Sequence, residues 1–133
     1  MTAPRIFVSA AVITDAAGRV LVVRKHGTSV FMQPGGKPEA GESAAEALSR
    51  ELHEEIGLIV APEALEPLGT FESAAANEPG HRVVAAAFRT TAEPDAVAAR
   101  AEIAELRWIT PGDVAAMALA PLSLDHLLAI AWP

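Results

Sequence analysis

The sequence has no cysteine and no tyrosine, and aromatic residues make up only 5% of its 133 positions. Without cysteine, disulfide bonds and thiolate chemistry are excluded. No stretch approaches the roughly 20 apolar residues that a membrane-spanning helix needs. Residues 1–5 lack the basic and apolar regions of a secretory signal, so we expect a cytoplasmic protein with no membrane partner.

Basic residues are also scarce, because 10 Lys and Arg stand against 17 Asp and Glu and the formal net charge is −7. A general nucleic-acid binder needs a basic surface to displace counterions from phosphates. We therefore expect no stable nucleic-acid complex. If the protein handles phosphate groups, cations other than Lys and Arg must neutralise much of their charge, which points to metal ions.

The length and a hydrophobic content of 51% fit one folded domain over residues 1–133. Residue patterns predict a short extended segment at 31–33, loops at 34–42 and 92–101, and strands at 6–14, 20–23, 58–61, 68–76, 83–91 and 106–109, the first two as a hairpin. They predict helices from about 44 to 56, from Thr110 onward, and from Ser123 to Ala131. This order favours an α/β fold, a mixed sheet with helices on its faces.

Three glutamates on the first predicted helix are the main chemical feature. At about 100° per residue, Glu51, Glu54 and Glu55 fall within an arc of about 100°, beside an apolar stripe. Like charges at these spacings repel one another, and a hard cation such as Mg²⁺ removes the conflict. A solvated acidic face is the alternative interpretation of such a cluster.

The glutamates also stand at fixed distances from a glycine-rich loop. From Gly36 the chain reads Gly, five residues, Glu42, seven residues, and then the sequence RELHEEIGL over residues 50–58. This resembles the Nudix box, Gly-x5-Glu-x7-Arg-Glu-U-x-Glu-Glu-x-Gly-U, in which U is a bulky aliphatic residue. Every fixed position matches over residues 36–58, and segments 31–37 and 105–109 resemble the flanking segments of the family.

The resemblance implies a Nudix fold, an α/β/α sandwich with a central mixed β-sheet. It implies hydrolysis of the diphosphate linkage in a nucleoside diphosphate joined to another moiety, with Mg²⁺ as the cofactor and Mn²⁺ as a substitute. Dimers are common among relatives, so a homodimer is one expectation, although the sequence leaves the oligomeric state open. An isomerase branch of the family uses a cysteine, which this chain lacks.

The resemblance also assigns roles to residues of the box. Glu51, Glu54 and Glu55 correspond to the metal-binding carboxylates, and the Gly36 carbonyl completes the metal shell. Glu54 is a ligand or the general base. Arg50 corresponds to an arginine that orients a glutamate through a salt bridge, so the catalytic group comprises Arg50 and the three glutamates. Further implied roles are a structural one for Glu42, the helix end for Gly57, and an additional metal ligand or base for Glu102 or Glu105.

Substrate contacts are predicted less specifically. Arg24, Lys25 and Lys37 are candidates to touch phosphates, His81 to face the substrate, and Phe31 to stack on a base; for each, a surface or core role is the alternative. The leading substrate is an oxidised nucleoside triphosphate such as oxidised dGTP. ADP-ribose or a dinucleotide remains the alternative, and a nucleotide-sensing module that does not cleave is the alternative of another class.

Overall fold

The computed structural model describes residues 3–133, so residues 1–2 of the N-terminal segment considered above lie outside it. It is organised around a six-stranded sheet whose strands are β1 (Arg5–Thr14), β2 (Val20–Lys25), β3 (Gly35–Gly36), β4 (Glu66–Ala74), β5 (Arg82–Thr91) and β6 (Ile103–Ile109). The strand order is β4-β5-β1-β2-β6, with β3 paired to β1. The β1–β5 pair is parallel and the others are antiparallel, which confirms the predicted mixed sheet.

Two helical layers cover the sheet. Helix α1 (Ala44–Ile56) lies on one face, and on the other lies a C-terminal helix that consists of a π-helical turn, Ser123–Leu127, followed by α2 (Leu128–Ala131). Side chains of β1 alternate between the layers, as a strand requires. Ala11 and Ile13 pack in the cluster that holds α1, whereas Ala10 and Val12 pack in a cluster with the C-terminal helix. The predicted α/β/α sandwich is confirmed.

The predicted hairpin of β1 and β2 forms beside its turn, with Thr14 opposite Val20. Farther from the turn, residues 31–36 also pair with both strands. The backbone of Met32 pairs with Val23 of β2, and β3 pairs with β1 opposite Ser9 and Ala10. The glycine-rich loop is therefore anchored to the centre of the sheet.

Helix α1 begins and ends where its sequence predicts. The Ser43 hydroxyl accepts a hydrogen bond from the Glu46 amide at 3.1 Å, and the Glu46 carboxylate accepts one from the Ser43 amide at 2.8 Å. Gly57 adopts a left-handed conformation, with φ 72°, and its amide donates to the His53 carbonyl at 3.0 Å. Ser9 Oγ of β1 donates to the Ala44 carbonyl at 2.7 Å, which fixes the helix start against the sheet.

The strand predicted at 58–61 is wrong. The Leu58 amide donates to the Leu52 carbonyl at 3.2 Å, and the Val60 carbonyl accepts a hydrogen bond from Ser49 Oγ at 2.6 Å, so the segment is tied to α1 instead of to a strand. A 3₁₀ turn follows at Pro62–Ala64.

Other boundaries differ less from prediction. The last strand begins at Ile103, three residues earlier than expected, and the loop at 92–101 contains a 3₁₀ turn at Pro94–Ala96. The helix predicted after Thr110 is a 3₁₀ helix, Pro111–Ala116. Within residues 3–133, no helix combines the length and apolar character needed to cross a membrane.

Candidate active site

A cavity of about 440 Å³ opens where β1, the glycine-rich loop, α1 and the β4–β5 connection meet. One part of its lining is charged and contains Lys25, Lys37, Arg50, Glu51, Glu55 and Glu102. The lining also contains Glu39 and Glu78, and its uncharged residues are mostly apolar, including Ile6, Val8, Met32, Val83 and Leu122. This combination suits a ligand with a highly charged part and a less polar part.

Glu55 is the buried acid of the cavity, with only 5% of its surface exposed. Burial raises the pKa of its carboxyl from 4.5 to about 7. A hydrogen bond from the Gly35 amide to Oε1, at 3.1 Å, acts in the opposite direction, while the nearby Glu51 charge raises the pKa further and Lys25 lowers it. A cation in the cavity would relieve this electrostatic cost.

Arg50 connects the other acidic side chains of this region to one another. Its guanidinium makes a two-pronged contact with Glu42, at 2.7 and 2.9 Å, and its Nη1 donates to Glu51 Oε1 at 2.7 Å. Weaker contacts reach Glu39 at 3.2 Å and Glu54 at 3.5 Å. The hydrogen bonds from Arg50 lower the pKa of Glu42 to about 2. Arg50 therefore holds Glu51 in one orientation at the cavity wall.

The two glycines of β3 allow close approach to neighbouring groups. A Cβ atom at Gly36 would lie 2.5 Å from Cδ and 2.6 Å from Oε2 of Glu51. A Cβ atom at Gly35 would collide with the backbone carbonyl of Ser9. Side chains are thus excluded where the loop passes between β1 and the acids of α1.

A sequence model of the NUDIX domain matches residues 4–132. This chain belongs to the Nudix family. The match covers almost all of the described residues, so the sheet, both helical layers and the cavity lie within the Nudix domain. The family predicted from the box is confirmed, and Nudix hydrolases generally use divalent metal ions.

Named relatives and a solved structure agree with this assignment. The chain is 29% identical over 101 residues to a Bacillus subtilis (strain 168) protein provisionally named an 8-oxo-dGTP diphosphatase, a match that covers 76% of this chain and 64% of the relative. It is 43% identical over 47 residues to an RNA pyrophosphohydrolase of Shewanella piezotolerans, covering 35% and 27%. The solution structure of the E. coli ORF135 protein superposes with a TM-score of 0.70 and 27% identity, covering 96% and 89%.

The chain spans less than two thirds of the length of the two named relatives. Both relatives are named for the hydrolysis of phosphoric anhydrides, and together with the family match they support the predicted class of enzyme. The ORF135 structure shows that this fold occurs in a solved protein, and the family match identifies it as the Nudix fold.

Within the Nudix box, the structure separates the three glutamates that the helical pattern grouped. Glu51 and Glu55 line the cavity, but Glu54 does not, and its exposed side chain faces Arg50. The positions of the side chains around the helix axis explain this difference. Measured around that axis from Glu51, Glu55 is rotated by about 40° towards Leu48 and the sheet. Glu54 is rotated by about 60° in the opposite direction, away from the sheet. Glu55 is consequently buried and does not belong to a solvated acidic face.

A hard cation fits the two cavity acids chemically, because carboxylate oxygens are preferred ligands of Mg²⁺ and Glu55 lacks a compensating charge in contact. In residues 3–133, no three Asp, Glu or His side chains stand together as a ready metal cluster. Glu51, Glu55 and the predicted additional ligand Glu102 all line the cavity, with Gly36 at its wall, so they stay the predicted ligands of an ion.

Of the two acids considered outside the box, only Glu102 reaches the cavity. Its Oε2 lies 3.9 Å from Nζ of Lys25, which lines the same wall. Glu105 instead pairs with Arg107, at 2.8 Å, and with Arg24, at 3.3 Å, and these contacts lower the pKa of its carboxyl.

The predicted substrate contacts are divided by the structure. Lys37 is exposed and lines the cavity. Arg24 forms an ion pair with Glu105 and does not line the cavity. His81 does not line it either, and its Nδ1 lies 3.2 Å from the Pro79 carbonyl. The structure therefore places Lys37 at the cavity and Arg24 and His81 outside its lining, and the substrate contact of Lys37 stays a prediction.

Phe31 also lies away from the cavity lining. It is 6% exposed in the core cluster of Val22, Ile109 and Leu128, with the Arg107 guanidinium 4.9 Å from its ring centre. The ring is thus used for packing, which was the alternative to base stacking. In the part of the chain that the structure describes, no aromatic side chain lines the cavity.

Several lining residues were not singled out from the sequence. Ser9, Gln33 and Ser123 are buried polar residues at the cavity, and residues 74–78 approach it from the end of β4. For Gln33, the position directly before the Pro-Gly-Gly segment could have indicated a place at the cavity. Ser123 comes from a helix 90 residues later, and only the fold brings it to this wall.

Proposed function

We propose that this Nudix protein hydrolyses the diphosphate linkage of a nucleotide-type substrate, with Mg²⁺ as the cation and Mn²⁺ as a substitute. The observation that carries the proposal is the presence of Glu51 and Glu55 at one cavity wall, beside the tightly packed Gly35–Gly36 segment. The combination of charged and apolar lining residues suits the phosphate and nucleoside parts of such a substrate.

The cation would be held by Glu51 and Glu55, and it would supply charge neutralisation at the phosphate oxygens and a lowered pKa for a water molecule. Arg50 keeps Glu51 in place through its 2.7 Å contact, and the Gly35 amide holds Oε1 of Glu55. Lys25 and Lys37 add positive charge at the cavity and are suited to the more distant phosphate groups.

In the proposed reaction, water attacks one phosphorus of the bridge and the bond from that phosphorus to the bridging oxygen breaks. The proton of the water passes to Glu51 or Glu55, the two carboxylates proposed to hold the cation. We favour them because they line the cavity, while Glu54, which is exposed beside Arg50, stays the ligand or base that the box predicts. The residues of the chain act mainly by positioning and electrostatic stabilisation.

We further propose an oxidised nucleoside triphosphate, such as oxidised dGTP, as the leading substrate. The name of the Bacillus subtilis relative supports this substrate, and a cavity of about 440 Å³ lies in the size range of small-molecule sites. ADP-ribose and dinucleotides are the alternative substrates. The expected homodimer is tested separately by sedimentation of the purified protein.

A substrate panel tests the proposal. The protein is incubated with Mg²⁺ or Mn²⁺ and with nucleoside triphosphates, oxidised dGTP, ADP-ribose, NADH and diadenosine compounds, and the released products are quantified. We expect turnover of at least one compound, its loss on chelation of the metal, and a loss of about a hundredfold in Glu51→Gln. Glu63→Gln, at an exposed glutamate of the Pro62–Ala64 turn, is the matched control. Tight binding of one compound without turnover of any would favour a sensor module.

A further inference from the structure

A buried polar pair, Gln33 and Ser123, lies at the cavity and has no part in the hydrolysis proposed above. Gln33 is 6% exposed and Ser123 is 1% exposed, and both belong to the lining. Their neighbours in the lining are largely aliphatic, including Val8, Ala10 and Leu122. A buried amide in such surroundings is costly unless its polar atoms have partners.

The hydrogen bonds of the pair fix the orientation of the amide. Ser123 Oγ donates to Gln33 Oε1 at 2.7 Å, and Gln33 Nε2 donates to the Ala11 carbonyl at 3.3 Å. A backbone carbonyl only accepts, so the nitrogen must face Ala11 and the oxygen must face Ser123. A rotation of the amide by 180° would bring two acceptors together at Ala11.

Part of the hydrogen-bonding capacity of the pair remains available. A primary amide has two N–H groups and two lone pairs, and the contacts above use one of each. The Ser123 hydroxyl also retains the ability to accept. Gln33, which belongs to the cavity lining, thus retains one donor and one acceptor in a fixed arrangement.

We propose that Gln33, held in position by Ser123, is a specificity-determining residue that hydrogen-bonds the edge of a nucleobase. The inference rests on the proposed nucleotide function and identifies the group that distinguishes one base from another. Nucleobase edges carry neighbouring donors and acceptors, which is the pattern that a fixed amide complements. Because no aromatic side chain is among the described lining residues, we expect these hydrogen bonds to contribute more to discrimination than stacking on a ring.

The test measures binding, so it does not depend on turnover. Isothermal titration compares dGMP, dAMP, dCMP and dTMP with 2-deoxyribose 5-phosphate, which lacks the base. We expect the wild-type protein to bind at least one mononucleotide about tenfold or more tightly than the base-free sugar phosphate. In Gln33→Met, which keeps the side-chain length, we expect that preference to fall by about tenfold, with the affinity for the sugar phosphate unchanged.

Two further variants separate positioning from general damage. Ser123→Ala removes only one hydroxyl, and we expect a loss of base preference of about threefold, because the amide loses one of its two restraints. Ser49→Ala removes a hydroxyl that donates to the Val60 carbonyl outside the cavity, and we expect no change in base preference. Thermal unfolding of each variant reports folding.

The outcomes are distinct. An equal loss of affinity for nucleotides and sugar phosphate in Gln33→Met, or a lowered Tm with unchanged base preference, would show that the pair only stabilises the fold and would overturn the inference. Equal wild-type affinity for mononucleotides and the sugar phosphate would also overturn it, even in an active hydrolase. Base preference that depends on Gln33 in a protein without turnover would support it while the proposed hydrolysis fails.

Discussion

At the scale of single residues, Glu55 shows how helix geometry raises the pKa of a carboxyl group. The side chain lies on the edge of the helix face that also buries Leu48 and Leu52, so the sheet shields it from water. The Gly35 amide is its hydrogen-bond partner, and the nearby Glu51 charge adds repulsion. The result is a carboxyl group with a pKa of about 7, close to the pH at which a cell works.

This pKa makes the stability of the metal-free protein depend on pH. The folded protein holds a proton at Glu55 up to a pH of about 7, whereas the unfolded chain releases it near 4.5. The folded state therefore binds more protons between these values, and stability falls as the pH rises through this window. The free-energy penalty for ionising buried Glu55 is absent below pH 4.5 and fully present above pH 7.

Glu55→Gln removes that penalty. We expect the variant to gain up to about 3 kcal/mol of unfolding free energy over the wild type at pH 8 and to show little difference at pH 4.5. Activity should fall by about a hundredfold or more, because a cavity charge is lost. Urea unfolding at the two pH values measures the first effect and steady-state kinetics the second. A variant that is less stable than the wild type at pH 8 would contradict the buried, uncompensated charge.

Gly36 offers a second test at the residue scale. In Gly36→Ala the new methyl group would lie 2.5 Å from Glu51 Cδ, so the carboxylate must move. We expect kcat/KM to fall by about tenfold or more if Glu51 has the proposed role, since small displacements of catalytic groups are costly. The control is Gly112→Ala, where the nearest atom, Thr110 Oγ1, lies 3.8 Å away. Equal activities of the two variants would show that the position of Glu51 is not critical.

The box predicted which residue types surround the cavity, but spacing alone did not decide which of them face it. Glu54 and Glu55 are adjacent in sequence, yet one is exposed beside Arg50 and the other is buried. The sheet decides the difference, because it covers one side of the helix only. Phe31 illustrates the same limit, since its place in the core depends on Ile109 and Leu128, far away in the sequence.

At the scale of elements, α1 is positioned by local and long-range contacts together. Its start is fixed by the Ser43–Glu46 capping box and by the hydrogen bond from Ser9 to the Ala44 carbonyl. Its last turn is stopped by Gly57. Because capping depends on adjacent residues, the sequence predicted both ends of this helix. The segment after it was mispredicted because Ser49 binds the Val60 carbonyl, a contact that no local pattern indicates.

Ser43→Ala should weaken the helix without dismantling the cavity. We expect a loss of about 1 kcal/mol of unfolding free energy, because the Glu46 amide loses its acceptor. Thermal unfolding measures this loss, and Ser29→Ala, at an exposed serine outside any helix, is the control. Activity should stay within about twofold at temperatures where both variants are folded. Unchanged stability would indicate that tertiary packing alone holds the helix start.

At the scale of the whole molecule, the cavity arises from the way residues 31–36 pair with both β1 and β2. This brings Gly35–Gly36 to the acids of α1 on one side and Gln33 to Ser123 on the other. The sequence predicted a hairpin and a loop separately. Their combination depends on pairings between distant segments, and for that reason the aliphatic wall and the polar pair emerged only from the structure.

The acidic balance of the chain is consistent with a protein that relies on bound cations. If a cation binds the folded protein at the cavity, it should raise the stability of the fold. A ligand that binds only the folded state adds about 2.7 kcal/mol at a concentration of 100 times its Kd. Protons compete with the cation for Glu55, whose pKa is about 7 in the metal-free protein. We expect Mg²⁺ or Mn²⁺ to raise the Tm more at pH 8 than at pH 6.

Thermal unfolding with increasing Mg²⁺, at constant ionic strength set by NaCl, measures this shift. Glu51→Gln should reduce it strongly, because one of the two carboxylates proposed to hold the cation is lost, while Glu63→Gln should retain it. A shift of equal size in both variants would mean that the cation binds outside the cavity. An equally large shift at pH 6 and pH 8 would mean that Glu55 does not hold the cation. A carboxylate that takes up a proton between these pH values binds the ion more weakly at the lower pH.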